Sequence, residues 1–172
     1  MSLRRIKKIN LLFSCLFFAV LNTPAFSKEE GLHDIDLNPL ASGTYTLSAR
    51  PAPGIRADFL FDTGASMVMI SDKLFRQISK HKKPQSSGKV AAAVATGKIK
   101  TIPTYTISSL VLDNGCDVGP VQVAVVRGAS RNLIGLNALS RLGRITIDIQ
   151  QGKLLISECP HPLLNADKVV AR

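Results

Sequence analysis

Tryptophan is absent from this chain and tyrosine occurs only twice. Almost no aromatic faces are therefore on offer for nucleic-acid bases to stack on, and no nucleic-acid partner is expected. The three histidines, His33, His81 and His161, stand alone, and no Cys or His spacing fits a metal site, so neither metal nor cofactor is expected. There is no Gly-rich phosphate loop, no Gly-x-Ser-x-Gly elbow and no Cys–His constellation. Long apolar runs are also missing. The longest, Ile9 to Leu21, is about thirteen residues, short of the roughly twenty that a membrane-spanning helix needs. The chain has no internal repeat and no low-complexity tract.

That short apolar run follows a basic stretch, Arg4, Arg5, Lys7 and Lys8, and precedes the small-x-small sequence Ala25-Phe26-Ser27. This is the layout of a secretory signal peptide over residues 1–27, cut after Ser27. An exported protein, periplasmic or secreted and without a stable membrane span, is expected. The alternative is an inner-membrane protein held by an uncleaved N-terminal segment. Leu12-Phe13-Ser14-Cys15 has too little apolar chain before it for a lipoprotein site. The remaining 145 residues suffice for one domain with a real core. The segment's four basic residues and no acid take the net charge from +10 to +6. Lys73, Arg76, Lys80, Lys82, Lys83 and Lys89 concentrate much of it. Such a patch could meet an anionic surface, although a solvated helix face and loop is the plainer reading. Cys15 leaves with the segment, so Cys116 and Cys159 remain either as a bridged pair or as two free thiols.

The rest reads as all-β with one or two short helices. Gly43 to Ala49 and Ala57 to Phe61 suit strands, as do Met67 to Ile70 and Val121 to Val126. Ser71 is placed to cap a helix through Lys80 that carries Leu74, Phe75 and Ile78 on one face. His81 to Gly88 reads as a polar loop. Lys89 to Ala95 and Lys98 to Thr106 flank a hairpin tip at Thr96-Gly97. Leu110 to Asp113 precedes an Asn114-Gly115 turn. Ile145 to Ile149 alternates, turns at Gln150-Gln151-Gly152 and returns as Lys153 to Ile156. Short strands at this spacing predict a closed or folded barrel. The domain is expected over residues 43–158, between an N-terminal segment at 28–42 and a tail at 159–172.

Chemistry concentrates in Phe61-Asp62-Thr63-Gly64-Ala65-Ser66. A carboxylate at the end of an apolar strand is costly to bury without partners. The Thr hydroxyl and a Gly-permitted tight backbone supply them. About seventy residues on stands Asn132-Leu133-Ile134-Gly135-Leu136-Asn137-Ala138-Leu139-Ser140-Arg141-Leu142-Gly143. Here Leu133 and Ile134 can fill space under the loop, and Gly135 permits close backbone approach. Together these blocks resemble retroviral-type, retropepsin-like aspartic proteases over most of residues 43–157, in the form of an exported bacterial member.

That resemblance implies a single-lobe acid-protease barrel acting on peptides or proteins, with Asp62, Thr63 and Gly64 as the catalytic loop. It also implies substrate contacts at Ala65 and Ser66, and at Ala95, Thr96 and Gly97 in a hairpin flap; a plain structural hairpin is the other reading of the last three. Ser66 and Leu136 depart from the family, whose members usually carry an acidic residue and an Arg there, resembling a salt bridge that supports the dimer. Peptide hydrolysis by this route needs two carboxylates, and the chain has one Asp-Thr-Gly loop, too little for two lobes. A homodimer supplies the second Asp62 from a second copy. The rival readings are a catalytically silent peptide-binding or assembly module of the same fold, and a basic surface-interaction protein.

Overall fold

The alternation read in the sequence becomes a set of short strands in a computed structural model, which describes residues 33–93 and 99–163. Strands β1 (His33–Asp36) and β2 (Asn38–Pro39) precede β3 (Tyr45–Ala52) and β4 (Ile55–Phe61), and β5 (Val68–Ser71) runs into helix α1 (Asp72–His81). A hairpin of β6 (Gln85–Ala93) and β7 (Ile99–Ile107) follows, then the short strands β8 (Val111–Leu112) and β9 (Cys116–Asp117). Next come β10 (Val121–Val126), β11 (Asn132–Ile134), helix α2 (Leu136–Leu139) and a 3-10 turn at Ser140–Leu142. Strands β12 (Ile145–Asp148), β13 (Lys153–Ile156) and β14 (His161–Pro162) complete the series. The class is all-β with short helices, as expected. Among the described residues no helix is long and apolar enough to cross a membrane.

The larger sheet runs β14-β9-β8-β3-β4-β11-β5-β10-β7-β6, with β2 beside β3; the smaller is β1-β13-β12. The strand path folds over a shared core without closing end to end, since β14 and β6 stand at opposite ends of it. Phe59, Leu47, Ile70, Leu112, Ile134, Leu139 and Leu154 are fully buried between these layers. Along β4 the polar Arg56 and Asp58 face outward while Phe59 faces in, the period-2 pattern of a half-buried strand.

Pairing carries the sheets beyond residues 43–158 at both ends. β1 pairs antiparallel with β13, and β14 pairs with β9. Cys159 bridges Cys116 with Cα atoms 5.5 Å apart, which ties the chain leading into β14 to β9. The segment 81–88, read as a loop, instead turns into β6 at Gln85, which pairs with Thr106. Its polar composition was outweighed by a partner strand 21 residues away. The register then shifts between Ser86 and Gly88, where Gly88 takes a φ of 103° that few other residues would accept. The expected tip residues Ala95, Thr96 and Gly97 lie outside the described residues.

Helix α1 follows the expected plan. The Leu74 amide donates to Ser71 Oγ at 3.2 Å, and Leu74 and Ile78, one turn apart, are buried. Asp72 in the first turn accepts from the Gly128 amide at 3.1 Å and from Arg76 at 2.6 Å. These two donors, Gly128 first, hold its carboxyl below the usual carboxylate range. The stability it contributes is therefore present above the unfolded value of 3.8 and fades as pH falls through the lowered folded value. Removing the cap in Ser71→Ala is expected to cost about 1 kcal/mol. A urea titration checks this; an unchanged midpoint would show that the cap is idle.

Candidate active site

Asp62 directly follows β4, and its position is fixed by the strand that lies between β4 and β5. That strand, β11, runs parallel to β4, with Phe61 opposite Ile134, and antiparallel to β5, with Leu133 opposite Met69. The chain thus leaves β4, turns through 62–66 and returns as β5 on the far side of β11. The Asp62 amide donates to the Ile134 carbonyl at 3.2 Å, which fastens the first loop residue to the inserted strand. The Ala65 amide closes the turn on the Asp62 carbonyl at 3.3 Å.

The loop's far side is held by the chain just after β11. The Leu136 amide donates to the Ala65 carbonyl at 2.9 Å, and the Asn137 amide to the Ser66 carbonyl at 3.1 Å. Gly135 lies so close that a Cβ there would stand 2.5 Å from the Met67 carbonyl oxygen and 2.7 Å from that of Ala65. This is the close approach read from the sequence, and it excludes any side chain. Ile134 is fully buried and Leu133 half-buried, which is the packing expected of that pair.

Two asparagines missed in the sequence complete the scaffold. Asn137 Oδ1 accepts from the Val68 amide at 2.8 Å, while its Nδ2 donates to the Gln122 carbonyl at 2.8 Å. Asn132 Oδ1 accepts from the Ser71 amide at 3.0 Å, and its Nδ2 donates to the Asp58 carbonyl at 3.2 Å. Each uses both ends of its amide to tie β5 to a neighbour. For Asn132 a signal was present: Asn is depleted in strands, so one that opens β11 asks for a polar duty.

The result is a carboxylate on a rigid pedestal. Gly64 donates its amide to Asp62 Oδ1 at 2.9 Å. Asp62 is half-buried, and its side chain has no ion pair among the described residues. Thr63 and Gly64 are exposed, and the Thr63 hydroxyl has no partner among the described residues. Ala65 is half-buried and Ser66 exposed beside them, so residues 62–66 form one surface; Ala95, Thr96 and Gly97 fall outside the described residues.

The other candidate acids have different work. Asp58 accepts from Ser48 Oγ at 2.5 Å and sits four residues up the strand, ~13 Å from Asp62. Asp113 meets Arg56 at 2.6 Å and Arg50 at 3.8 Å. Burial nonetheless raises its carboxyl above the ordinary range. Asp148 caps its own turn by accepting from the Gln151 amide at 2.9 Å. Each is engaged away from Asp62. Among the described residues no group of three or more His, Cys, Asp or Glu side chains could hold a metal ion.

Residues 53–141 match the family model described as gag-polyprotein putative aspartyl protease. The fold is similar to the crystal structure of a retropepsin-like aspartic protease from Rickettsia conorii. That likeness has a TM-score of 0.53 at 19% sequence identity and covers 73% of this chain and 90% of the other. No curated protein matches the sequence.

Proposed function

We propose that this chain, which belongs to the gag-polyprotein aspartyl protease family and has a retropepsin-like fold, is an endopeptidase whose active centre joins Asp62 of one copy to Asp62 of a second. The observation that carries this reading is the incomplete loop. It presents one oriented carboxylate, an exposed Gly64 and, among the described residues, a Thr63 hydroxyl without a partner and no second acid bonded to Asp62.

A two-fold axis through that surface would set the two carboxylates side by side. Two carboxylates at that range do not both ionise readily, so the pair holds one proton between them. The ionised member takes a proton from a water, whose oxygen attacks the substrate's carbonyl carbon. The protonated member donates to the carbonyl oxygen as its π bond opens. Collapse of the tetrahedral species returns a proton to the departing nitrogen, and the C–N bond breaks. Gly64 leaves the loop open to an extended peptide, and Ala65 and Ser66 would flank it. The Thr63 hydroxyls would bond across the axis. Ser66 and Leu136, both uncharged, leave no charge stranded at that junction.

The proposed setting is outside the reducing cytoplasm, a reading that the bridged Cys116 and Cys159 support. Hydrolysis of a peptide library is expected to follow a bell-shaped pH profile with an acidic optimum. Above it the pair has no proton to polarise the carbonyl, and below it no ionised member remains to activate water. A rate that climbs steadily into alkaline pH would sink the mechanism.

A further inference from the structure

A cavity of about 530 Å³ opens beside the turn between β3 and β4. It lies at the end of β4 away from Asp62, separated from it by a seven-residue strand ~23 Å long. Its volume falls in the range of small-ligand sites. We propose that it is a second binding site, for a peptide segment in which an Asp or Glu carboxylate stands next to an apolar side chain. This goes beyond peptide hydrolysis, since no part of the site draws on Asp62.

The lining is chemically two-sided. Ile78 and Ile107 give it an apolar floor, and Pro51, Pro53, Pro84 and Pro120 form its walls. Proline rings hold a fixed backbone angle and offer no amide donor, so these walls are stiff and apolar. The rim carries His81, Lys82, Lys83 and Ser108, all exposed. None of these four side chains has a hydrogen-bond or ion-pair partner among the described residues. Among the described residues no acidic side chain lines the cavity. A ligand that satisfies both halves needs an apolar group for the floor and an anion for the rim.

The walls are held in place independently of any ligand. Asp117 accepts from Ser109 Oγ at 2.7 Å, from the Leu110 amide at 2.8 Å and from the Gly119 amide at 2.8 Å. Arg141 Nη1 donates to the carbonyls of Val118 at 2.8 Å and Pro120 at 2.6 Å. A site fixed in advance loses little freedom on binding. Lys80 and His81 in the last turn of α1 complement the helix dipole. Lys82 is the C-cap of that helix, and Lys83 lies beyond it.

Charge complementarity and shape together favour a peptide. Among the described residues no Phe, Tyr or Trp ring lines the cavity for a base to stack on, and a phosphodiester chain has no apolar group for Ile78 and Ile107. A lipid surface is broad and cannot enter a concave cavity.

The test is direct binding by fluorescence anisotropy, using full-length protein carrying Asp62→Asn so that the probe survives. The probe is a fluorescein-labelled nonapeptide of alternating Glu and Leu. The comparisons are its Gln-for-Glu counterpart, phosphatidylglycerol vesicles and a single-stranded oligonucleotide. The Glu peptide is expected to bind saturably below about 1 mM. Affinity should fall at least tenfold for the Gln peptide, and tenfold again in the Lys82→Glu/Lys83→Glu double variant, whose exposed positions leave the core untouched. Ser108→Trp, which fills the mouth without changing charge, should also remove binding. The proposal is overturned if the Glu and Gln peptides bind alike, or if no binding is seen. It is equally overturned if the lysine variant weakens binding while Ser108→Trp does not, because the contact is then surface charge without the cavity. Tighter binding to vesicles or oligonucleotide than to peptide overturns the choice of ligand.

Discussion

Asp62→Asn is expected to lower peptide hydrolysis by roughly 10⁴-fold, the upper end of what a positioned acid–base group contributes. An amide cannot ionise, so neither copy can activate water, and it has no carboxyl proton to give. The fold should survive, because the side chain makes one bond within the chain, from the Gly64 amide to Oδ1. The Asn side-chain oxygen can accept that same bond. Circular dichroism and the urea midpoint should therefore match the parent protein while turnover disappears. Retained turnover would mean that water is activated elsewhere.

The same variant tests the shared site. With random exchange between equal amounts of parent and Asp62→Asn subunits, roughly one quarter of the dimers hold two carboxylates. Specific activity should then fall to about a quarter of the parent value, against the half that simple dilution would give. Dilution of the parent protein should also lower its specific activity as subunits separate. A rate that merely halves on mixing and is unaffected by dilution points to a monomer, with Asp58, Asp113 and Asp148 as the acids to test next.

Gly135→Ala should have the second largest effect, on the fold itself. The added Cβ would fall 2.5 Å from the Met67 carbonyl oxygen, 2.7 Å from the Ala65 carbonyl oxygen and 2.7 Å from the Met67 carbonyl carbon. All three are backbone atoms, so no flexible side chain can swing aside. Relief requires β11 to part from the loop, which stretches the bonds from Leu136 to Ala65 and from Asn137 to Ser66. Overpacking of about 1–3 kcal/mol combines with two weakened hydrogen bonds of about 1 kcal/mol each. A loss of roughly 3 kcal/mol or more is a large share of a typical domain's stability. Gly43→Ala is the control. A Cβ there meets nothing within 4 Å, and only its φ of 78° resists substitution, at about 1–2 kcal/mol. Gly135 itself has an extended backbone with a φ of −109°, so a loss no greater than that of Gly43→Ala would show that crowding against the loop is slight.

The two blocks that define the site were legible because each is local. Asp62-Thr63-Gly64 follows an apolar strand, and Leu133-Ile134-Gly135 carries its own packing signature. Ser71 announced its helix, and Leu74 and Ile78 its buried face. Legibility ended where a residue's role depends on a distant partner. Gln85 looks like loop until Thr106 lies beside it. Asn132 and Asn137 reach amides 61 and 69 residues away. Nothing in their immediate neighbours identifies those amides.

By itself, then, the sequence determined the β class and the carboxylate-bearing turn, since these follow from residue type and short-range periodicity. Only the tertiary structure decided that β11 lies between β4 and β5, that Cys116 meets Cys159, and that four prolines and two lysines from separate segments surround one cavity. Those are pairings between segments far apart in the chain. Hydrogen-bond geometry and burial select them together, and no local pattern records the choice.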